Sequence, residues 1–527
     1  MTNSIDEIGE AKTVMVIGSN TAENHPIIFH QVKKAVKNGG KLIVINPRKV
    51  GLCAIAHLWL RLKPGTDVPL LMAMAKVIVD EGLLDKNFIA ERCEDFAEFE
   101  ASLAGFDLTS VSEITGVAAN DIAEAARVYA QEGPSTILYA MGVTQHSKGT
   151  DNVKAISNLS MLTGNIGKPS TGVNPLRGQN NVQGACDMGA LPMYYTGYMK
   201  VADPAVREKF EQGWNCLLPD TPGLTMTQMY PAIEQGTIKS MFIMGENPVL
   251  SDPDAKHVEK ALQSLELLVV QDLFLTETAK LAHVVLPAAC SYEKDGVFAN
   301  TERRVQRIRK AVEPVEGIIA DWKIICQIAK KMGEAGFDFQ DSSEVMDEIS
   351  KLTPSYGGIT YERLEKEGGL QWPCPDAEHP GTQYLHANAF PRGKGKFIPL
   401  IYKPALEIAD GDYPFILSTG RNLYHYHTGT MTRRCEVLKN IVDEEFVEIN
   451  PEDAAAQGIE DGDFVAVFSR RGEVTARARL TDKSPKGLIF MTFHFSETPT
   501  NQLTNPGFDP DCGIPELKIS AVNIKKI

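Results

Sequence analysis

The sequence lacks any run of about 18 apolar residues, so no segment is expected to cross a bilayer as a helix. It also lacks a basic surplus. The 53 Lys and Arg are outnumbered by 68 Asp and Glu, and a net charge of −15 argues against nucleic-acid or anionic-membrane partners. Cysteine clusters are missing too. The nine cysteines are dispersed, no two within four residues, which leaves no zinc or iron–sulfur spacing and argues against a disulfide framework. Reduced thiols fit a cytoplasmic setting, with a periplasmic one open if a preceding segment or a partner carries the signal. The opening MTNSIDEIGEAKTVMVIG has neither a basic n-region nor an apolar h-region and does not read as a signal peptide. What is present is an ordinary globular composition, 43% apolar and 23% charged, over 527 residues that call for several domains.

An internal repeat sets the expected architecture. VMVIGSNTAENHP, a helical stretch, KLIVINPRK and CAIAHLWLRLKPG recur as SMFIMGENPVLSDPD, a helical stretch, LELLVVQDLF and KLAHVVLPAAC. Each copy ends an apolar run in Gly-x-Asn (Gly18 and Asn20; Gly245 and Asn247), places a polar residue 28 or 27 positions after that glycine (Asn46; Asp272), and has Ala-His before a third apolar run. Short apolar runs separated by amphipathic helices predict parallel strands in a βαβ unit, used twice. Glycine at a strand tip lets backbone approach a ligand, the next helix N-terminus offers N–H groups to a phosphate, and a polar tip on the second strand suits a ribose or base. Two such units suggest two nucleotide-like moieties; a duplication in which one copy has lost its ligand stays open.

Two further segments are rich in polar and small residues. In NPLRGQNNVQGACDMGALP (174–192), three Gly, three Asn and two Gln in nineteen residues predict a hydrogen-bonded loop lining a site rather than helix or strand. Arg177 within it is a fork able to hold a carboxylate, or else a structural partner of Asp187, the one acid of the loop. In STGRNLYHYHTGTMTRR (418–434), His425 and His427 lack an evident third ligand, so polar contacts to an organic cofactor are favoured over a metal. From Asp412 onward, short strands and turns predict a β-barrel-like domain, with 340–410 as a connecting region.

RGQNNVQGACDMGALP resembles the active-site arginine loop of the formate dehydrogenase catalytic (alpha) subunits, within the molybdopterin bis-guanine-dinucleotide oxidoreductases. GSNTAENHP, INPRK, LKPGTD, MGVTQHSKG, MLTGNIGKP, MGENP, VVQD, STGR and NPED agree in order along nearly the whole chain. The resemblance implies an α/β protein: two related doubly wound nucleotide-binding-type domains followed by a C-terminal double-psi β-barrel. The expected domains are 1–177, 178–340 (incomplete at its N-terminal side), the connecting region 341–410, and the barrel 411–527. Implied cofactors are two molybdopterin guanine dinucleotides with molybdenum or tungsten. Arg177 would orient formate; Asn20, Asn46, Arg48, Gly65, Asp67, Gln145, Glu246, Asn247, Gln271 and Asp272 would line dinucleotide pockets; Thr419, Gly420, Arg421, His425, His427, Thr428, Asn501 and Lys518 would add contacts from the barrel.

Formate and CO2 are the implied substrate pair, and an iron–sulfur or flavin subunit the implied electron-transfer partner. A nitrate-reductase-like substrate and a non-catalytic scaffold role are the alternatives. The family also carries a cysteine motif for a [4Fe–4S] cluster and a selenocysteine–His or Cys–His pair, both upstream of the stretch that Met1 matches. The chain taken alone is therefore expected to be inactive and poorly soluble. A start mis-assigned after a selenocysteine codon is the expected reason, with truncation or a split gene as alternatives.

Overall fold

Strands Thr13–Ile17 and Lys41–Ile45 show no alternation of apolar and polar residues because both of their faces are covered: nine of these ten residues are buried. They lie in a parallel five-stranded sheet, in the order Leu58–Leu60, Lys41–Ile45, Thr13–Ile17, Ser135–Tyr139, Val173–Pro175. One side packs on the helix Asp67–Asp80, which is apolar around its circumference and has eleven of its fourteen residues buried. The other side packs on Pro26–Lys37, an amphipathic helix that buries Ile28, Val32 and Ala35. The computed structural model describes every residue, Met1–Ile527, and resolves into two compact units.

The first unit comprises Met1–Leu176, Pro248–Glu259 and Tyr384–Ile527. Beside the parallel sheet it holds a closed six-stranded barrel, ordered Phe415–Gly420, Leu488–Thr492, Phe446–Ile449, Glu473–Leu480, Phe464–Phe468, Ser520–Lys526. Two of its pairings are parallel, Ile416 with Leu488 and Phe446 with Arg477, which an up-and-down barrel would not contain. The interior is filled by residues such as Leu417, Val447, Ile449, Val465, Ile489 and Val522. The barrel expected from the sequence is thus present. Within this unit the sheet tip meets the barrel: Lys49 N–H donates to Lys483 O at 2.8 Å, and Arg61 Nη2 reaches Asp482 O and Lys483 O, both at 3.1 Å.

The second unit comprises Arg177–Asn247 and Lys260–Gln383. It contains a parallel three-stranded sheet, Ser240–Met244, Leu267–Asp272, Val284–Pro287. An antiparallel one joins Gly296–Ala299, Arg304–Ile308 and Leu370–Gln371. The stretch read as a connecting region carries regular structure, with helices Ser342–Leu352 and Tyr361–Glu367 before the short strand that completes the antiparallel sheet. Tyr356, Ile359, Leu364 and Cys374 form a small core there with Val305 and Met346.

Candidate functional site

The repeat is reproduced bond for bond at the strand tips. Gly18 N–H donates to Ile45 O at 3.0 Å and Gly245 N–H to Gln271 O at 2.9 Å; His57 N–H donates to Leu42 O at 2.8 Å and His283 N–H to Leu268 O at 2.9 Å. Both glycines have positive φ, +55° and +67°. They use that freedom differently. A Cβ on Gly18 would lie 2.7 Å from the Gly142 carbonyl carbon and 2.8 Å from Val143 N, so the close approach is to backbone rather than to the ligand expected from sequence. Nothing lies within 4 Å of the same position on Gly245.

In the first unit, three cations converge. Lys518 Nζ donates to Thr419 O at 2.7 Å. Burial, then the charges of Arg421 and Arg48, hold its ammonium down to about 7. Arg48 binds Glu448 through Nη2, lies 3.3 Å from the Phe490 ring centre, and leaves its buried Nε without a partner. Burial also depresses Arg421, which faces the Phe493 ring. Gly420 has a Phe490 ring atom 2.5 Å from where a Cβ would sit, so any side chain at the strand end would displace that ring. Asn46 Oδ1 accepts Arg48 N–H at 3.0 Å and shapes the turn that carries this cation.

Other expected residues of this unit divide into held and open groups. Thr419 Oγ1 donates to Leu517 O at 2.7 Å, and Thr428 pairs with Thr430 at 2.9 Å. His425 is spent on structure, with Val442 O at 2.7 Å from Nε2 and Thr432 Oγ1 at 3.2 Å from Nδ1. His427, at φ +51°, is held down to about 4, first by burial and then by Arg421. Asn501 Nδ2 donates to Leu250 O and Ser251 O at 2.9 Å, while its Oδ1 is buried and unpartnered, as is Asn20 Oδ1. Asp67 opens a helix, and burial pushes its carboxyl up to about 7.

Gly65 lines a small open cleft with His146, Ser147, Tyr402 and Glu516. Gln145 immediately precedes this wall, at the end of the short helix Met141–Thr144. Neither His146, although it lies within MGVTQHSKG, nor Glu516 was among the expected site residues. His146 Nε2 faces Gly142 O at 2.9 Å, and its Nδ1 stands 4.0 Å from Glu516 Oε1. Burial lowers the histidine to about 4 and raises the carboxyl, so the contact is between two groups driven toward neutrality rather than an ion pair.

In the second unit, Arg177 N–H donates to Thr301 Oγ1 at 3.0 Å. The segment that follows is not all loop, because Val182–Asp187 is a helix entered through Asn181 at φ +57°. Its polar residues find partners from distant parts of the chain, which composition does not reveal. Asp187 is not Arg177's partner: its four donors are Gln183, Tyr198, Tyr356 and Trp372. Around the second repeat, Asn247 closes on Thr278 Oγ1 and Glu277, both at 2.8 Å. Asp272 Oδ1 accepts Leu273 N–H at 2.6 Å. Gln271 Nε2 donates to Asp321 at 2.6 Å and leaves Oε1 buried and unpartnered. Burial raises the Glu246 carboxyl.

Buried acceptors and donors without partners (Asn20 Oδ1, Asn501 Oδ1, Arg48 Nε and, in the second unit, Gln271 Oε1) are costly unless a ligand completes them. A buried lysine repelled by two arginines is relieved by an anion such as a pyrophosphate. The residues present therefore fit a polar, phosphate-bearing nucleotide cofactor.

Comparison with known proteins gives that cofactor class a name. The family described as molybdopterin oxidoreductase matches residues 1–331, and the one described as molydopterin dinucleotide binding domain matches 415–521. The chain belongs to the molybdopterin oxidoreductase family. It is 52% identical to the F420-dependent formate dehydrogenase subunit alpha of Methanocaldococcus jannaschii, over all of this chain and 78% of that one. It is 42% identical to formate dehydrogenase H of Escherichia coli, over all of this chain and 74% of that one. Acetylene hydratase from Pelobacter acetylenicus, 20% identical, shares the fold with a TM-score of 0.75, over 99% of this chain and 81% of that one.

Proposed function

We propose that this chain catalyses the two-electron interconversion of formate and CO2 as a catalytic alpha subunit, with Arg177 as the substrate anchor. Taking two electrons and one proton from formate leaves CO2. A molybdenum or tungsten centre held by two molybdopterin guanine dinucleotides supplies the two-electron sink when bound. The chain's own residues do the rest. The Arg177 guanidinium neutralises the carboxylate and fixes its plane, which converts an encounter into an oriented complex. Arg48, Arg421 and Lys518 balance phosphate charge, and Asn20, Asn46, Asp67, Asn501, Gln271 and Asp272 offer hydrogen bonds to the nucleotide parts. The electrons pass to an iron–sulfur or flavin partner subunit, in keeping with relatives that are themselves alpha subunits. No helix is long and apolar enough to cross a membrane. All nine cysteines are free, which favours the cytoplasm.

The observation that carries this reading is similarity to formate dehydrogenases over the whole of this chain combined with an arginine whose backbone is pinned inside a polar segment. Arg177→Lys and Arg177→Ala in the cofactor-loaded enzyme are expected to cut formate turnover by on the order of 10²–10³-fold, with pterin and metal content unchanged. Lysine keeps the charge but not the planar fork, so near-normal turnover of Arg177→Lys would remove Arg177 from this role.

A further inference from the structure

The segment bearing Arg177 is anchored by a carboxylate to which the proposed chemistry gives no task. Asp187 has 0% exposure. Its Oδ1 accepts Gln183 Nε2 at 2.7 Å and the Tyr198 hydroxyl at 2.9 Å. Its Oδ2 accepts the Tyr356 hydroxyl at 2.5 Å and Trp372 Nε1 at 2.7 Å. Two donors on each oxygen satisfy an ionised carboxylate, and none of the four is a cation. A buried carboxylate without a counter-ion is costly unless its hydrogen bonds are complete, so partial loss of this set is felt strongly.

The donors come from separate parts of the unit: the helix Val182–Asp187 itself, the turns Thr196–Tyr198 and Pro354–Tyr356, and the residue after the strand Leu370–Gln371. Trp372 is itself held, with the Arg303 guanidinium 5.6 Å from its ring centre and Arg303 Nη1 donating to Thr382 O at 3.1 Å. At the other end of the helix, Asn181 Oδ1 accepts Ala299 N–H at 2.9 Å. Gly184 leaves room for that capping side chain, since a Cβ there would lie 2.2 Å from Asn181 Oδ1.

We propose that Asp187 is a positioning residue for substrate binding: by clamping the helix Val182–Asp187 to Tyr198, Tyr356 and Trp372, it sets the direction of Arg177. This rests on reading Arg177 as the formate anchor. Between Asp187 and the Thr301 contact of Arg177 the chain has one helix and a few residues, so a helix free to pivot at its C-terminal end moves the base of the guanidinium. Loosening the clamp weakens formate in the ground state and the transition state alike, which raises KM more than it lowers kcat.

The test uses the complete, cofactor-loaded enzyme. Tyr356→Phe and Trp372→Phe each remove one donor from Oδ2 and keep an aromatic ring in place. Each is expected to raise the formate KM about tenfold, the worth of one hydrogen bond to a charged group, with kcat within about threefold and metal content unchanged. Trp372→Phe decides alone if Tyr356→Phe does not accumulate. Arg177→Lys is run beside them. If it abolishes turnover while both Phe variants keep the normal KM, the clamp has no positioning role and the anchor stands. If kcat, metal content and thermal midpoint fall together with KM unmoved, Asp187 is structural only, and the proposal is overturned. If Arg177→Lys behaves as the unaltered enzyme, the anchor falls and the positioning role falls with it.

Discussion

The two copies of the repeat share their strand order, their left-handed glycine and their tip hydrogen bonds, yet they stand in opposite surroundings. Thr13–Ile17 is buried at all five residues. In its counterpart Ser240–Met244 only Ile243 is buried, and Phe242 and Met244 are 44% and 48% exposed. The first sheet also gains two strands beyond the repeat, Ser135–Tyr139 and Val173–Pro175, whereas the second stops at three. The local backbone geometry of the tips is thus shared although the packing around them differs. What each copy contributes to stability is set by what packs on it.

That contrast can be broken most forcefully in the cores. Ile43→Ala, at a residue with no exposure, is expected to cost about 2–5 kcal/mol in equilibrium unfolding. Phe242→Ala in the second copy should cost under about 1 kcal/mol. Equal losses would show that the two sheets are equally covered in solution.

The glycines sharpen the same point. Gly18→Ala combines left-handed strain with a clash against Gly142 and should cost about 2–5 kcal/mol, whereas Gly245→Ala meets strain alone, about 1–2 kcal/mol. Thermal melts of the two variants would compare them directly.

A third difference is electrostatic, because the buried lysine belongs to the first unit. The Lys518 ammonium is lowered from 10.5 to about 7 in the fold, so between those values the unfolded chain holds a proton that the folded one has released. Stability without cofactor should rise with pH across that window, by up to about 1.4 kcal/mol per pH unit. Lys518→Met should flatten the slope, and bound cofactor phosphate should flatten it as well by restoring the charge. A slope unchanged in Lys518→Met would assign the effect to another group.

The smallest expected effect concerns the paired histidines. His283 Nδ1 accepts Leu268 N–H at 2.9 Å, a bond the His57 ring does not make. His283→Ala should cost about 0.5–1.5 kcal/mol and His57→Ala under about 0.5 kcal/mol, by denaturant midpoint.

The repeat, the strands and the barrel were legible because each rests on local pattern: apolar runs, glycine tips and short strands with turns. The cationic side of the site was legible only through motifs, since Arg48 and Lys518 are 470 residues apart in sequence and unremarkable where they stand. The helix Val182–Asp187 was not legible. Its composition disfavours helix, and its C-terminal anchors, Tyr356 and Trp372, lie 169 and 185 residues away. The same limit hid His146 and Glu516, two single residues that burial alone brings into a shared wall.

The discontinuity of the first unit has a consequence in time. Its sheet is encoded by Met1–Leu176, but its barrel emerges only with Tyr384–Ile527. At about 5–20 residues per second, the ribosome needs roughly 20–70 s after Leu176 to finish the chain. Over that interval the early helices and strands wait for their partners, exposed to chaperones and proteases. Asn46 and Arg48 are made long before Arg421 and Lys518. The nascent chain therefore has no complete cationic cluster until the barrel has been made.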